Sequence, residues 1–150
     1  MNYDYPYHPN HHSMFDCGGN PFVVNIAEAT RTNQTFRTAI WTGNNLQVTL
    51  MSIMPGDDIG LENHPNTDQF LRIEQGHGFV QMGNRENELD FCAEVGPGYA
   101  VMVPAGKFHN ITNIGTVPLR LYSIYAPPEH PFGTLHETKE VAMAQEHHYD

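Results

Sequence analysis

Apolar residues in this chain come in short bursts, and the bursts alternate. In Gln69-Phe70-Leu71-Arg72-Ile73, Leu71 and Ile73 share a face with Gln69, while Phe70 and Arg72 take the other. That is the period-two pattern of a half-buried strand. Similar runs cover residues 36–41, 46–54, 79–82, 100–104, 109–112 and 119–125. The first two are separated by Thr42-Gly43-Asn44-Asn45, a hairpin signal. Gly and Pro punctuate the other gaps, at Pro55-Gly56, Gly76-His77-Gly78, Gly96-Pro97-Gly98 and Gly115. Short strands at this spacing predict an all-β sandwich or barrel. Phe22-Val23-Val24-Asn25-Ile26 is a further apolar run. Helix is expected only near residues 138–145, where Glu140, Ala142, Met143 and Ala144 are good helix formers.

The first twenty residues break this pattern. Tyr, His, Pro and Asn dominate and no apolar period is present. We read residues 1–20 as a flexible N-terminal arm, solvated or ordered against a partner subunit, with His8, His11 and His12 as solvated side chains. Residues 21–150 then form a single domain with no internal repeat and no linker.

Composition narrows the partners. The chain has 150 residues, 39 % hydrophobic and 16 % charged, with a formal net charge of −10. An acidic surface disfavours nucleic acid and anionic membranes, which need clustered Lys and Arg. No run approaches the ~18 apolar residues of a membrane span. The first residues lack the basic-then-apolar order of a secretory signal, so a cytoplasmic location is expected. Cys17 and Cys92 are then expected as free thiols.

The chemistry gathers in residues 55–69. Glu62 and His64 are two apart, so in an extended chain both point the same way. If residues 65–68 turn the chain back, Gln69 returns beside them. His109 follows Pro104-Ala105-Gly106-Lys107-Phe108 in the second half. A carboxylate, two imidazoles and an amide oxygen suit one divalent transition metal: Mn, Fe, Zn, Co or Ni.

The spacings resemble the cupin superfamily. Its first motif, G-x5-H-x-H-x(3,4)-E-x6-G, is matched by Gly56, Glu62, His64, Gln69 and Gly76, with Glu62 in place of the first His and Gln69 in place of the Glu. Its second, G-x5-P-x-G-x2-H-x3-N, is matched throughout by Gly98, Pro104, Gly106, His109 and Asn113. The resemblance implies a double-stranded β-helix, a jelly-roll barrel with a short C-terminal helix, and a metal held by Glu62, His64, Gln69 and His109 in the barrel mouth. Asn113 and the glycines read as structural.

The residues from Ile124 to Lys139 look like those of small cupins labelled mannose-6-phosphate-isomerase-like. That implies an isomerase or epimerase acting on a small sugar or sugar acid. Two other functions fit the same ligands: a non-haem metal dioxygenase, and a non-catalytic metal or small-molecule binding barrel. No catalytic acid or base stands out. Arg72 and Lys107 are the local cations, which disfavours a phosphosugar. His130 and His136 read as solvated loop residues. A small-molecule ligand and a homodimer, its interface formed by the arm or by the strand near Phe22, complete the expectation.

Overall fold

The structure is a computed structural model that describes residues 15–148, with side chains up to residue 145. Strands β1 (Arg37–Thr42), β2 (Gln47–Ile53), β3 (Asp68–Gln75), β4 (Gly78–Gly83), β5 (Phe91–Val95), β6 (Ala100–Val103), β7 (Phe108–Asn113), β8 (Leu119–Ala126) and β9 (Leu135–His136) carry the fold. They form a six-stranded sheet ordered β6-β3-β8-β2-β1-β9 and a three-stranded sheet ordered β5-β4-β7. Every named pairing is antiparallel.

The alternation along the chain sets what lies between the sheets. On β3, Gln69, Leu71 and Ile73 are buried while Asp68 and Arg72 are exposed. On β8, Leu119, Leu121, Ser123 and Tyr125 face inward. The barrel core is Ile53, Ile59, Leu71, Ile73, Val80, Ile111, Leu119 and Leu121 with their neighbours. Each such side chain contributes roughly 1.5–3 kcal/mol by leaving water. Gly76, between β3 and β4, has φ +89°, and a Cβ there would lie 3.0 Å from the Leu119 backbone. The first motif thus ends on a glycine for both conformational and packing reasons.

Two helices flank the barrel. α2 (Lys139–His148) lies where the sequence predicts it and buries Ala142 in the barrel core. α1 (Ile26–Thr32) is not foreseen by the strand-like run that precedes it. Its signal is Asn25, whose side chain accepts from Glu28 N at 3.1 Å, with Glu28 itself three residues on. That is the cap and acidic first turn of a helix start. β5 also escapes periodicity, because it is exposed at Phe91, Cys92 and Glu94.

Outside the barrel, α1 covers a second apolar cluster of Ala29, Ile40 and Leu50, joined by Phe22, Val24, Ile26, Val48 and Tyr122. Beside it lies a cavity of about 470 Å³ walled by Phe22, Val24, Ile40, Trp41, Leu46 and Val48. Residues 1–14 of the expected arm fall outside the described residues. Residues 15–20 are tied to the barrel. Cys17 N donates to Ile40 O at 2.9 Å, Trp41 Nε1 to Asn20 O at 2.7 Å, and Thr42 Oγ1 to Asp16 Oδ2 at 2.6 Å. Cys17 and Cys92 are both free thiols.

Candidate metal centre

The two motifs meet because residues 56–62 run antiparallel beside β7. Ile59 N donates to Ile111 O at 3.1 Å, and Glu62 and His109 exchange both backbone hydrogen bonds at 2.9 Å. Directly opposed residues in an antiparallel pair project to the same side. Glu62 and His109 are therefore brought face to face by backbone pairing alone. Gly106 N donates to His64 O at 2.9 Å and holds the adjoining turn. Asn113 is structural: its Nδ2 donates to Ile53 O and Val117 O, and its Oδ1 accepts from Gly115 N.

Glu62, His64 and His109 present ligand atoms within 4.8 Å of one another. His64 Nε2 lies 2.9 Å from Glu62 Oε2, and His109 Nε2 lies 3.7 Å from the same oxygen. Each imidazole is pinned at its other nitrogen. Glu129 Oε1 sits 2.9 Å from His64 Nδ1, and the Lys107 carbonyl sits 3.0 Å from His109 Nδ1. Both acceptors are oxygens, so both rings carry a proton on Nδ1 and turn Nε2 inward; at His64 that Nε2 donates a second proton to Glu62 Oε2, the proton a metal would displace.

Gln69, the fourth expected ligand, lies on β3 in the other sheet. It is buried opposite Tyr125 on β8, and its Nε2 donates to Ser123 Oγ at 3.2 Å. Its Oε1 has no hydrogen-bond partner, and neither has His109 Nε2. A buried polar atom left unpaired costs roughly 1–3 kcal/mol, so the orphaned His109 Nε2 near Glu62 and the orphaned Gln69 Oε1 are the kind of atoms that would ligate a cation. Two imidazole nitrogens, one carboxylate oxygen and one amide oxygen are suitable donors for a divalent transition ion.

The charges agree. Burial raises the Glu62 carboxyl, but the hydrogen bond from His64 and the charges of Arg37, His64 and His109 outweigh it and hold the group at about 2. Burial also opposes the charged form of His64. There the hydrogen bond and charge of Glu62, with the charge of Glu129, win and raise it. Burial dominates at His109 and lowers it.

Several neighbours are not legible as site residues from sequence. Arg37 is fully buried and donates through Nη2 to Glu62 Oε1 at 3.2 Å. It sits on an inward position of β1, the one signal that could have marked it. Sequence alone leaves His130 and His136 on solvated loops; the structure corrects both. The residues after β8 fold back because Gln47 holds them: its Oε1 accepts from Glu129 N and His130 N, and its Nε2 donates to His130 O. This packs the His130 ring edge-on against Tyr125 at 5.1 Å and buries its Nε2 without a partner. Burial, then Arg37, push His130 down to about 3. His136 pairs with Arg37 through Nδ1 at 3.2 Å. Tyr125 packs against His64 at 5.7 Å, its hydroxyl near Thr49 and Ser123 and pushed up by burial to about 12.

With that geometry in place, comparison with known proteins gives the family. The Cupin domain model matches residues 49–125. This chain belongs to the cupin family. It is 62 % identical over 131 residues to the uncharacterized protein YrkC of Bacillus subtilis (strain 168), covering 87 % of this chain and 70 % of that one. The crystal structure of BH2720 from Bacillus halodurans superposes with a TM-score of 0.86 at 60 % identity, over 87 % of this chain and 99 % of that one. A Lactobacillus farciminis oxalate decarboxylase in complex with formate is 25 % identical, with a TM-score of 0.53 over 58 % of this cupin and 25 % of that chain. No helix among the described residues is long and apolar enough to cross a membrane.

Proposed function

We propose that this cupin binds one divalent transition metal through Glu62, His64, Gln69 and His109. We further propose that it isomerises or epimerises a small oxygen-rich substrate of the sugar or sugar-acid type. The observation that carries the metal reading is the pair of imidazoles locked at Nδ1, with both Nε2 atoms turned toward Glu62 Oε2. A bound ion would polarise substrate carbonyl and hydroxyl oxygens and so acidify the adjoining C–H.

The protein supplies the rest. Tyr125 stays a neutral O–H donor for a substrate oxygen, since its proton is held to about pH 12. His130 is held neutral, its pKa pushed down to about 3 chiefly by burial, so it serves as a fixed polar group beside Tyr125 rather than as the base. Arg37 is committed to Glu62 and His136, so no buried cation is spare for a phosphate. That favours unphosphorylated substrates.

The test is elemental analysis of the purified protein, followed by NMR of a panel of aldoses, ketoses and sugar acids in D2O. One equivalent of metal and deuterium entry at the carbon beside the carbonyl are expected. Metal content unchanged in His64→Ala and His109→Ala would overturn the site. Metal without exchange on any substrate would leave a non-catalytic binder.

A second reading has its own support. Glu62, His64 and His109 are two His and one carboxylate, the ligand set of non-haem iron oxygenases. Iron in the purified protein with oxygen uptake on substrate addition would select it. We also propose a homodimer, because edge strand β6 exposes Met102 beside Tyr99, and edge strand β5 exposes Phe91. Sedimentation at low micromolar concentration checks this, and monomer alone would refute it.

A further inference from the structure

Among the described residues, the chain beyond β8 contributes none of the proposed ligands, yet it grips the segment that carries Glu62 at three places. Lys139 Nζ, at the start of α2, lies 2.8 Å from Asp57 Oδ1 and 2.5 Å from Asp58 Oδ1. Gly60 has φ +87°, and a Cβ there would lie 3.6 Å from Met143 Cε, so α2 rests on the bare backbone two residues before Glu62. The third grip is a chain of side chains. His136 Nε2 lies 2.9 Å from Gln145 Oε1, Arg37 Nη1 3.2 Å from His136 Nδ1, and Arg37 Nη2 3.2 Å from Glu62 Oε1.

The direction of every hydrogen bond in that chain is fixed. A guanidinium only donates, so His136 Nδ1 must accept, and the ring proton must sit on Nε2. That proton is donated to the Gln145 carbonyl oxygen. His136 is thus neutral and in one tautomer, with its burial and the Arg37 charge both lowering its pKa. Arg37, held from behind, occupies Glu62 Oε1. The other oxygen, Oε2, is the one facing His64 and His109.

We infer that the C-terminal segment, β9 and α2, is a clamp on the metal centre: through Gln145, His136 and Arg37 it fixes Glu62 to offer Oε2 alone, so that metal occupancy and docking of the segment reinforce one another. Arg37 and His136 are positioning residues that touch no ion. The reciprocity is thermodynamic: if the docked segment tightens metal binding, bound metal must tighten the segment by the same factor. This inference rests on the metal reading above.

The full-length protein is loaded with Co(II), whose visible absorption reports coordination. Affinity is measured by competition, and hydrogen exchange is followed over residues 135–145. Co(II) should slow exchange there by about 10-fold. His136→Leu, which keeps volume and removes the acceptor, should bind Co(II) about 10-fold more weakly, change its absorption band, and leave tail exchange indifferent to the ion. His136→Gln restores an accepting oxygen and should recover most of the affinity and the band. Gln145→Leu alters an exposed position, so folding is safe; it should weaken binding by about 3-fold and blunt the exchange response.

Wild-type affinity and spectrum in both leucine variants, with a tail that ignores Co(II), would overturn the clamp. So would equal loss in His136→Leu and His136→Gln, which would mean packing alone. If His136→Leu fails to fold, an unchanged Gln145→Leu is sufficient refutation. A wild-type protein that binds Co(II) no better than Glu62→Ala fails at the metal reading itself, a result distinct from all of these.

Discussion

Leu121 and Tyr125 lie on the same face of β8, and neither exposes any surface. Around Leu121 the barrel is closed by the apolar side chains of Ile53, Ile73 and Leu119. Around Tyr125 the walls are Gln47, Thr49, Gln69 and Ser123, equally buried. There the Gln69 carbonyl oxygen and His109 Nε2 lack hydrogen-bond partners. One strand thus runs from an apolar half to a polar half. Burial does not separate core from site; the chemistry of the buried side chains does.

The contrast can be broken most sharply at His109. His109→Ala removes the sole proposed ligand of the second motif and should cost more than about 100-fold in metal affinity, since even outer partners of a ligand cost 10–100-fold. Its circular dichroism should stay that of a β-barrel. Leu121→Ala is the opposite case. It should destabilise by about 3 kcal/mol in urea melts while metal stoichiometry holds. A variant that loses fold and metal together at either end would erase the division between the halves.

The pH dependence sharpens it further. His64 is raised in the metal-free protein, so its ion pairs stabilise the fold fully below the ordinary imidazole value of about 6.5. That stability fades as pH climbs through the raised value. A metal must displace the same proton. Metal affinity should therefore rise with pH across that window, by up to about 10-fold per unit for one proton, and then level off. Calorimetric titrations at several pH values read both the affinity and the proton released. The smallest effect is Tyr125→Phe. Removing this one hydroxyl should shift stability by about 1 kcal/mol, leave metal content alone, and lower turnover in the exchange assay.

How much of this is visible in the sequence follows from what each part depends on. The strands and the four proposed ligands are local: alternation gives the face of Leu71 and Ile73, and motif spacing gives Glu62, His64, Gln69 and His109. The second layer is not local. Glu129 reaches His64 over 65 residues, and His136 reaches Arg37 over 99. No periodicity encodes such a meeting. Arg37, in Phe36-Arg37-Thr38-Ala39, reads as an ordinary strand charge until its partners are known. α1 was legible only through its cap, because Ile-Ala-Glu-Ala-Thr-Arg-Thr is a weak helix sequence on propensity.

Trp41, the single tryptophan, gives the molecule a built-in optical probe with a well-defined field of view. Its indole donates to Asn20 and walls the outer apolar cavity, and the bare Gly43 makes room for its ring, since a Cβ there would come within 2.4 Å. Release of residues 15–22 would expose the ring to water and shift its emission to longer wavelength. An aromatic solute entering the cavity would change its intensity. Loading the barrel mouth with metal would leave the same signal nearly flat. Fluorescence thus follows the outside of the barrel while cobalt absorption follows the inside, and the two can be recorded on one sample.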